Sequence, residues 1–436
     1  MISRMLALLI LLSTLLAAQT PSAALVPKIP LAAQAGPGFN AEAATNAYLA
    51  TQTPVQKARS DAYFEGGYWL LLWDFLYGAA IAILLLATGF SSRMRDVAQR
   101  LTKRNPLVTW LYWAEYSVAV FVAGFPLAVY EGFVRERQYG LMNQTLAAWS
   151  VDQSKGLALG IVLGGLAAMA LFAVVRRLPR TWHVWGAVVS VALMMLTFLV
   201  YPVFVAPMFN QYAPLTDAQI REPILRLARQ NGIHANAVYQ VDESRQSNRV
   251  SANVSGLLGT ERISLNDNLL RRCSPQAVLA TMGHEMGHYV LNHGYKTVAF
   301  TTIILVAFFA LLRWTLAWSL ARWGGRWGIR DVCDPAVVPL VFLIGSAFFF
   351  VITPVTNTLT RTQEYEADIF GLNTARQPDG EAEVDMLLGE YRKLDPTPLE
   401  EFLFFDHPGG RTRIYAAMRW KAENQCLGNA VNPCPR

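Results

Sequence analysis

The chain has 436 residues, 53% hydrophobic and 16% charged, with a formal net charge of +6 at pH 7. So little charge on so long a chain excludes a disordered or highly solvated protein and argues for a membrane class. The basic surplus does not point to a nucleic-acid partner, because short loops beside apolar stretches account for most of it and membrane anchoring explains it.

In chain order, Met1 to Ala24 opens with one basic residue, Arg4, runs apolar from Met5 to Ala18 and offers small residues at Ser22-Ala23-Ala24. That is the pattern of a cleaved signal peptide, with an uncleaved first span as its rival. Gln34 to Gln56, rich in Ala, Thr and Pro, reads as an extended or weakly ordered connector. A hydrocarbon core takes roughly 20 apolar residues of helix. Six stretches qualify: Trp69 to Phe90, Val108 to Tyr130, Gly156 to Val175, Trp182 to Met208, Thr297 to Trp318 and Ala336 to Asn357. The fifth is interrupted near its end by Arg313.

Lys and Arg in short loops set orientation. Arg93, Arg95, Arg100, Lys103 and Arg104 crowd the first short connection, Arg176, Arg177 and Arg180 the next, and Arg322, Arg326 and Arg330 the last. These three belong on the cytoplasmic face. Alternation then sets Leu25 to Tyr68, Glu131 to Lys155, Phe209 to Lys296, and Thr358 onward on the opposite face. Among four cysteines, Cys426 and Cys434 flank LGNAVNP and either pair or stay as free thiols. Pairing fits only an oxidising compartment. Cys273 and Cys333 read as packing residues.

Three of the six histidines fall in TMGHEMGHYVLNH, Thr281 to His293. Ser274 is a candidate N-cap and Pro275 starts the first turn, followed by apolar residues at helical spacing, so the motif lies on a helix. Positions four apart share a face, which sets His284 and His288 side by side, as two ligands of a tetrahedral zinc require. Glu285 flanks that face, within reach of a water but not of the metal. Such a string arises by accident in roughly one chain of this length in a hundred, so a third ligand decides the matter. NTLTRTQEYEADIFGL supplies it: Glu364 and Asp368 share a helical face, while Glu366 points the opposite way. Glu364 is the expected ligand, and Asp368 the acceptor of a ligand's ring N–H. Taken alone, these acids would read as solvated. His293, off the face of the other two histidines, is expected on the surface or at a cap.

These residues resemble the type I CAAX prenyl protease family, membrane zinc endopeptidases of the gluzincin kind. FVRERQYGLMNQTLAAWSVDQSKGLALG (Phe133 to Gly160) and YPVFVAPMFNQYAPL (Tyr201 to Leu215) are similar to family signatures. NTLTRTQEYEAD resembles its Asn-x-x-Ser-Arg-x-x-Glu-x-x-Ala-Asp motif, with Thr360 in place of serine, and DHPGGRTRI its His-Pro-x-x-x-x-Arg motif. The likeness runs from about Gln56 to Trp420. It implies His284, His288 and Glu364 as zinc ligands, Glu285 as catalytic glutamate, His407 as transition-state stabiliser and Arg413 as support beside the ligands. It also implies helices arranged around a chamber. Where the family's substrate-holding strand carries asparagine, RVSANVSG has Ser251, and Asn253, two residues on, shares its face. Eukaryotic members act on cytosolic prenylated chains, whereas the charge pattern here sets the site outside the cytoplasm.

The expected architecture is mainly α: a polytopic helical membrane protein of six to seven spans around a chamber, with a small α+β zinc-protease domain. Its expected divisions are 1–24 (signal or first span), 25–68 (connector), 69–208 (four spans), 209–296 (HEMGH helix), 297–357 (two spans) and 358–436 (third ligand). The expected activity is peptide-bond hydrolysis with one zinc ion per chain. The partners are a peptide or protein substrate and membrane lipid, with no nucleic acid, at a bacterial inner membrane with the site on the periplasmic side. A quality-control protease clipping damaged membrane proteins is the alternative within the class. A zinc-binding scaffold without catalysis would have no use for Glu285, and a transporter would show repeated halves.

Overall fold

A computed structural model describes residues 28–255 and 261–424. The candidate signal segment and the pair Cys426 and Cys434 lie outside the described residues. The chain is mainly helical, and among the described residues six helices are long and apolar enough to cross a membrane.

Before the first span the chain forms α1 (Ala41–Leu49), where an extended or weakly ordered connector was expected. The local signal is Asn40, whose side chain accepts from the Ala43 N–H at 2.8 Å. Tertiary burial does the rest: Ala44 and Tyr48 are buried, and the Tyr48 hydroxyl donates to Asp379 at 2.9 Å. Composition alone carries no information about that partner surface.

α2 (Pro54–Ala87) starts well before the expected span, on a capping box between Thr53 and Gln56 with Pro54 in its first turn. It ends short of Phe90 because Gly89 takes φ +66°, a left-handed conformation that glycine adopts without strain. The short α3 (Phe90–Leu101) follows, then three long helices: α4 (Asn105–Gln138), α5 (Leu146–Arg177) and α6 (Trp182–Met208).

A small mixed sheet comes next, interleaved with α7 (Ala218–Gln230) and made of β1 (Tyr212–Pro214), β2 (Val238–Val241), β3 (Ala252–Ser255) and β4 (Arg262–Asn266). Its order is β1-β2-β4-β3, so β3 is an edge. Ala252 and Val254 pack on a cluster that includes Ile263, Leu265, Met282 and Met286. Strand alternation leaves Asn253 exposed on the other face, and Ser251, just before the strand, is exposed as well. The loop after α4 is stitched to this unit: the Asn143 side chain donates to Asn248 at 2.8 Å, and Arg249 donates to Glu136 at 2.8 Å.

After α8 (Asp267–Arg272) and α9 (Pro275–Val290), two helices run without a break from span into site: α10 (His293–Trp327) and α11 (Val338–Ala375). The divisions drawn at 296/297 and 357/358 therefore fall inside single helices. Arg313 on α10 donates to His183 on α6 at 3.1 Å, which gives this intramembrane cation a partner. α12 (Pro378–Leu388), α13 (Pro398–Phe404) and α14 (Gly410–Asn424) close the described chain. α14 packs over α12 and α1 around Ile414, Ala417 and Met418.

Candidate metal centre

The centre is built where α9 crosses α11. Ser274 caps α9, accepting from the Ala277 N–H at 3.2 Å, and Pro275 occupies the first turn. The approach of the two helices depends on small residues four apart on each. A Cβ added at Gly283 would lie 2.9 Å from the Ala375 Cβ, one at Gly287 3.1 Å from the Ala367 Cα, and one at Gly371 2.8 Å from the His284 backbone nitrogen. This stripe was legible in the sequence as glycine and alanine at spacing four, but only helical neighbours give it meaning.

That contact brings His284, His288 and Glu364 together, with one ligand atom from each within 4.8 Å of the others. His284 Nε2 lies 3.0 Å from His288 Nε2 and 3.2 Å from Glu364 Oε2, and His288 Nε2 lies 3.5 Å from Glu364 Oε1. Ligands about 2.05 Å from a tetrahedral zinc stand about 3.3 Å apart, which is the scale of these contacts between the two nitrogens and the carboxylate. The donor chemistry fits as well. His284 Nδ1 lies 2.7 Å from Asp368 Oδ1, which can only accept, so the ring proton sits on Nδ1 and the Nε2 lone pair points into the cluster. Burial opposes charge on His284, but unless a metal sits at Nε2, hydrogen bonds to Asp368 and Glu364 outweigh it and raise its pKa well above the ordinary value; a metal would take the place of the proton shared between Nε2 and Glu364.

Asp368 is held in turn by Arg413, whose Nε donates to Oδ2 at 2.8 Å and Nη2 to Oδ1 at 2.5 Å. Arg413 also pairs with Asp385 at 2.9 Å and Glu381 at 3.2 Å. Burial pushes both of those carboxyls above the ordinary range, against the pull of Arg413. Glu285 stands beside the cluster, half-buried, and burial raises its pKa while His284 and His288 pull it back.

His407 comes from the loop between α13 and α14. Its Nε2 lies 3.3 Å from Glu364 Oε2, and its Nδ1 2.8 Å from Asp406 Oδ1. Burial works to raise the Asp406 pKa, but the His407 hydrogen bond brings it below the ordinary range, so an ionised carboxylate backs the ring. Asn253 lies on the outward face of edge strand β3, which runs beside α9, and Ser251 lies just before the strand, exposed.

His293 is the correction. It was expected on the surface or at a cap; it stands at the first position of α10, but its side chain is 3% exposed, with Nδ1 2.9 Å from His288 Nδ1 and Nε2 3.0 Å from Glu366 Oε2. Helical arithmetic from His284 fails because α9 ends at Val290 and Asn292, at φ +58°, turns the chain before α10 begins. Asp406, which received no role from the sequence, lies next to the histidine it supports, and that adjacency was its only signal.

Residues 214–421 match the profile of peptidase family M48, and residues 47–211 match the profile described as CAAX prenyl protease N-terminal, five membrane helices. In this chain the second region holds α2 to α6, of which α3, at 12 residues, is too short to cross. The chain is 26% identical over 336 residues to an uncharacterized metalloprotease, YhfN, of Bacillus subtilis, covering 77% of this chain and 79% of that protein. It is 27% identical over 306 residues to CAAX prenyl protease 1 of Saccharomyces cerevisiae, covering 67% and 68%. The crystal structure of S. mikatae Ste24p shares the fold, with a TM-score of 0.70 at 21% identity over 86% of this chain and 93% of that one.

Proposed function

The chain belongs to peptidase family M48 and is a multi-pass membrane zinc metalloprotease, and from that premise we propose that it hydrolyses internal peptide bonds with a single zinc ion held by His284, His288 and Glu364. The observation that carries this reading is the cluster of His284 Nε2, His288 Nε2 and the Glu364 carboxylate, with the two nitrogens 3.0 Å apart and each within 3.5 Å of one of the carboxylate oxygens. When bound, zinc supplies Lewis acidity, lowering the pKa of a water and polarising a peptide carbonyl.

The chain's own groups do the rest. Glu285 takes the proton of the attacking water and hands it to the leaving amine. His407, its Nδ1 backed by Asp406, offers Nε2–H to the carbonyl oxygen as charge develops there. Asp368 fixes the tautomer of His284, and Arg413 keeps Asp368 ionised and aimed. The free edge of β3, with Asn253 on the strand and Ser251 just before it, receives the substrate backbone as an added strand.

The site belongs on the extracytoplasmic side of an inner membrane. Support comes from the three basic connections, which meet at one end of the bundle. Arg95 pairs with Asp334 at 2.5 Å, Arg330 donates to Gln99 at 3.2 Å, and Arg176 donates to Thr109 at 2.7 Å. Relatives carry the name CAAX prenyl protease; a site on this face meets membrane or periplasmic proteins instead, and these are the substrate class inferred.

The test is metal analysis and proteolysis on chain purified without chelators. One zinc per chain is expected, retained in Glu285→Gln while cleavage of an unfolded protein substrate falls by at least about 100-fold. Full cleavage by that variant, or wild-type protein without stoichiometric zinc, would refute the proposal.

A further inference from the structure

His284 and His288 are backed differently. His284 leans on a carboxylate, Asp368, itself clamped by Arg413. His288 leans on another imidazole, its Nδ1 2.9 Å from His293 Nδ1. Two ring nitrogens can share one proton only if one donates and the other accepts. His288 faces the cluster through Nε2, so its proton is on Nδ1 and it donates, which leaves His293 Nδ1 as the acceptor. His293 must then carry its own proton on Nε2, and Glu366 Oε2 lies 3.0 Å from that atom. Lys296 Nζ donates to the same Glu366 oxygen at 2.7 Å and holds the carboxylate in place. The chain of bonds runs in one direction, from His288 through His293 to Glu366, and joins α9, α10 and α11.

We propose that His293 is a positioning residue of the metal centre: held in one tautomer by Glu366, it accepts the Nδ1 proton of His288 and so aims the Nε2 lone pair of that ligand at the metal. The inference rests on the proposed zinc site and adds to it a residue that touches neither metal nor substrate. It also explains why a histidine at the first turn of a membrane-spanning helix is buried. That helix, α10, carries the support for a ligand on α9, and Thr297 one turn on donates to Gln363, beside Glu364, at 3.2 Å. A carboxylate in place of His293 would add another buried charge to those of Glu364 and Asp368, whereas an imidazole accepts the proton without one.

The experiment measures zinc affinity of the full-length, detergent-solubilised chain by competition with a chromogenic chelator, beside thermal unfolding of the zinc-free protein. His293→Leu fills the space but accepts no proton, and it is expected to weaken zinc binding about 10- to 100-fold. His293→Asn places an amide oxygen where Nδ1 stood and is expected to stay within about threefold of wild type. Wild-type affinity in the leucine variant, or equal weakening in both variants, overturns the proposal, since equal losses mean packing alone. If the leucine variant does not fold, Glu366→Ala at its exposed position carries the test. About threefold weaker binding supports the directed chain of bonds, and unchanged affinity overturns it. Wild-type protein that binds no zinc refutes the site itself, an outcome distinct from variants that bind as tightly as a zinc-binding wild type.

Discussion

Asp368 shows how one buried side chain makes a ligand usable. It is 2% exposed and shared between His284 Nδ1 and the Arg413 fork, so its position is determined from two sides. Removing the arginine leaves Asp368, Glu381 and Asp385 buried without their shared cation. Arg413→Leu is expected to destabilise the fold by about 3–5 kcal/mol, the usual cost of breaking a buried pair from one side. Arg413→Lys keeps a charge but loses the two-pronged grip, and should recover much of the stability while zinc binding stays weaker than wild type. Thermal unfolding and chelator competition on both variants check this; a lysine variant identical to wild type would show that charge alone matters, and one identical to the leucine variant that the two-pronged grip alone does. At this scale the spacing of His284, Glu285 and His288 was readable because one helix carries all three. Glu366 was readable only in direction, since its partners His293 and Lys296 come from another helix.

Helices, not loops, set the geometry of the centre, and α9 and α11 can approach only where side chains are absent. Gly371→Val would drive a branched side chain into the His284 backbone, 2.8 Å from where its Cβ would stand. The expected cost is about 1–3 kcal/mol together with loss of zinc, because the rigid core moves His284 away from Glu364 rather than absorbing the volume. Zinc content and unfolding temperature of that variant decide it. A second element-level link lies at α13, where Lys393 Nζ donates to Glu400 at 2.7 Å and to Glu65 on α2 at 2.6 Å. The Lys393 hydrogen bond is the main reason the Glu400 pKa drops from 4.5 to about 2. A depressed carboxylate stabilises above its ordinary pKa and ceases to as pH falls through the lowered one. Lys393→Met is therefore expected to unfold more easily than wild type at pH 7, by about 1 kcal/mol. That gap should narrow as pH falls from 4.5 toward 2. A gap that is constant with pH would assign the loss to packing.

Across the whole molecule, span and site share elements: α10 and α11 both leave the apolar layer and end in the metal centre. The bundle's orientation therefore decides which compartment the site meets. With an impermeant maleimide and a permeabilised outer layer, a cysteine at exposed Gln219 should react in intact cells. One at exposed Arg322, on the last basic connection, should react only after lysis. The opposite pattern would invert the orientation and return the site to the cytosol. The stretch before Ala47 lies outside both family profiles, yet Ala44 packs in the same cluster as Ile414 and Met418 of α14, the helix that carries Arg413.

Some features of this protein follow from local chemistry that the linear order of residues already contains. Six apolar stretches long enough for a hydrocarbon core, a capped helix with HEMGH on one face, and a second helix with Glu364 and Asp368 four apart are properties of near neighbours. The tertiary structure decided what distance along the chain conceals. It made Gly283, Gly287 and Gly371 a contact surface, turned His293 inward at the Asn292 kink, and folded α1 against α14 at the far end of the described chain. Those outcomes depend on which surfaces meet and how closely, and a period read along one helix stops carrying information where that helix ends.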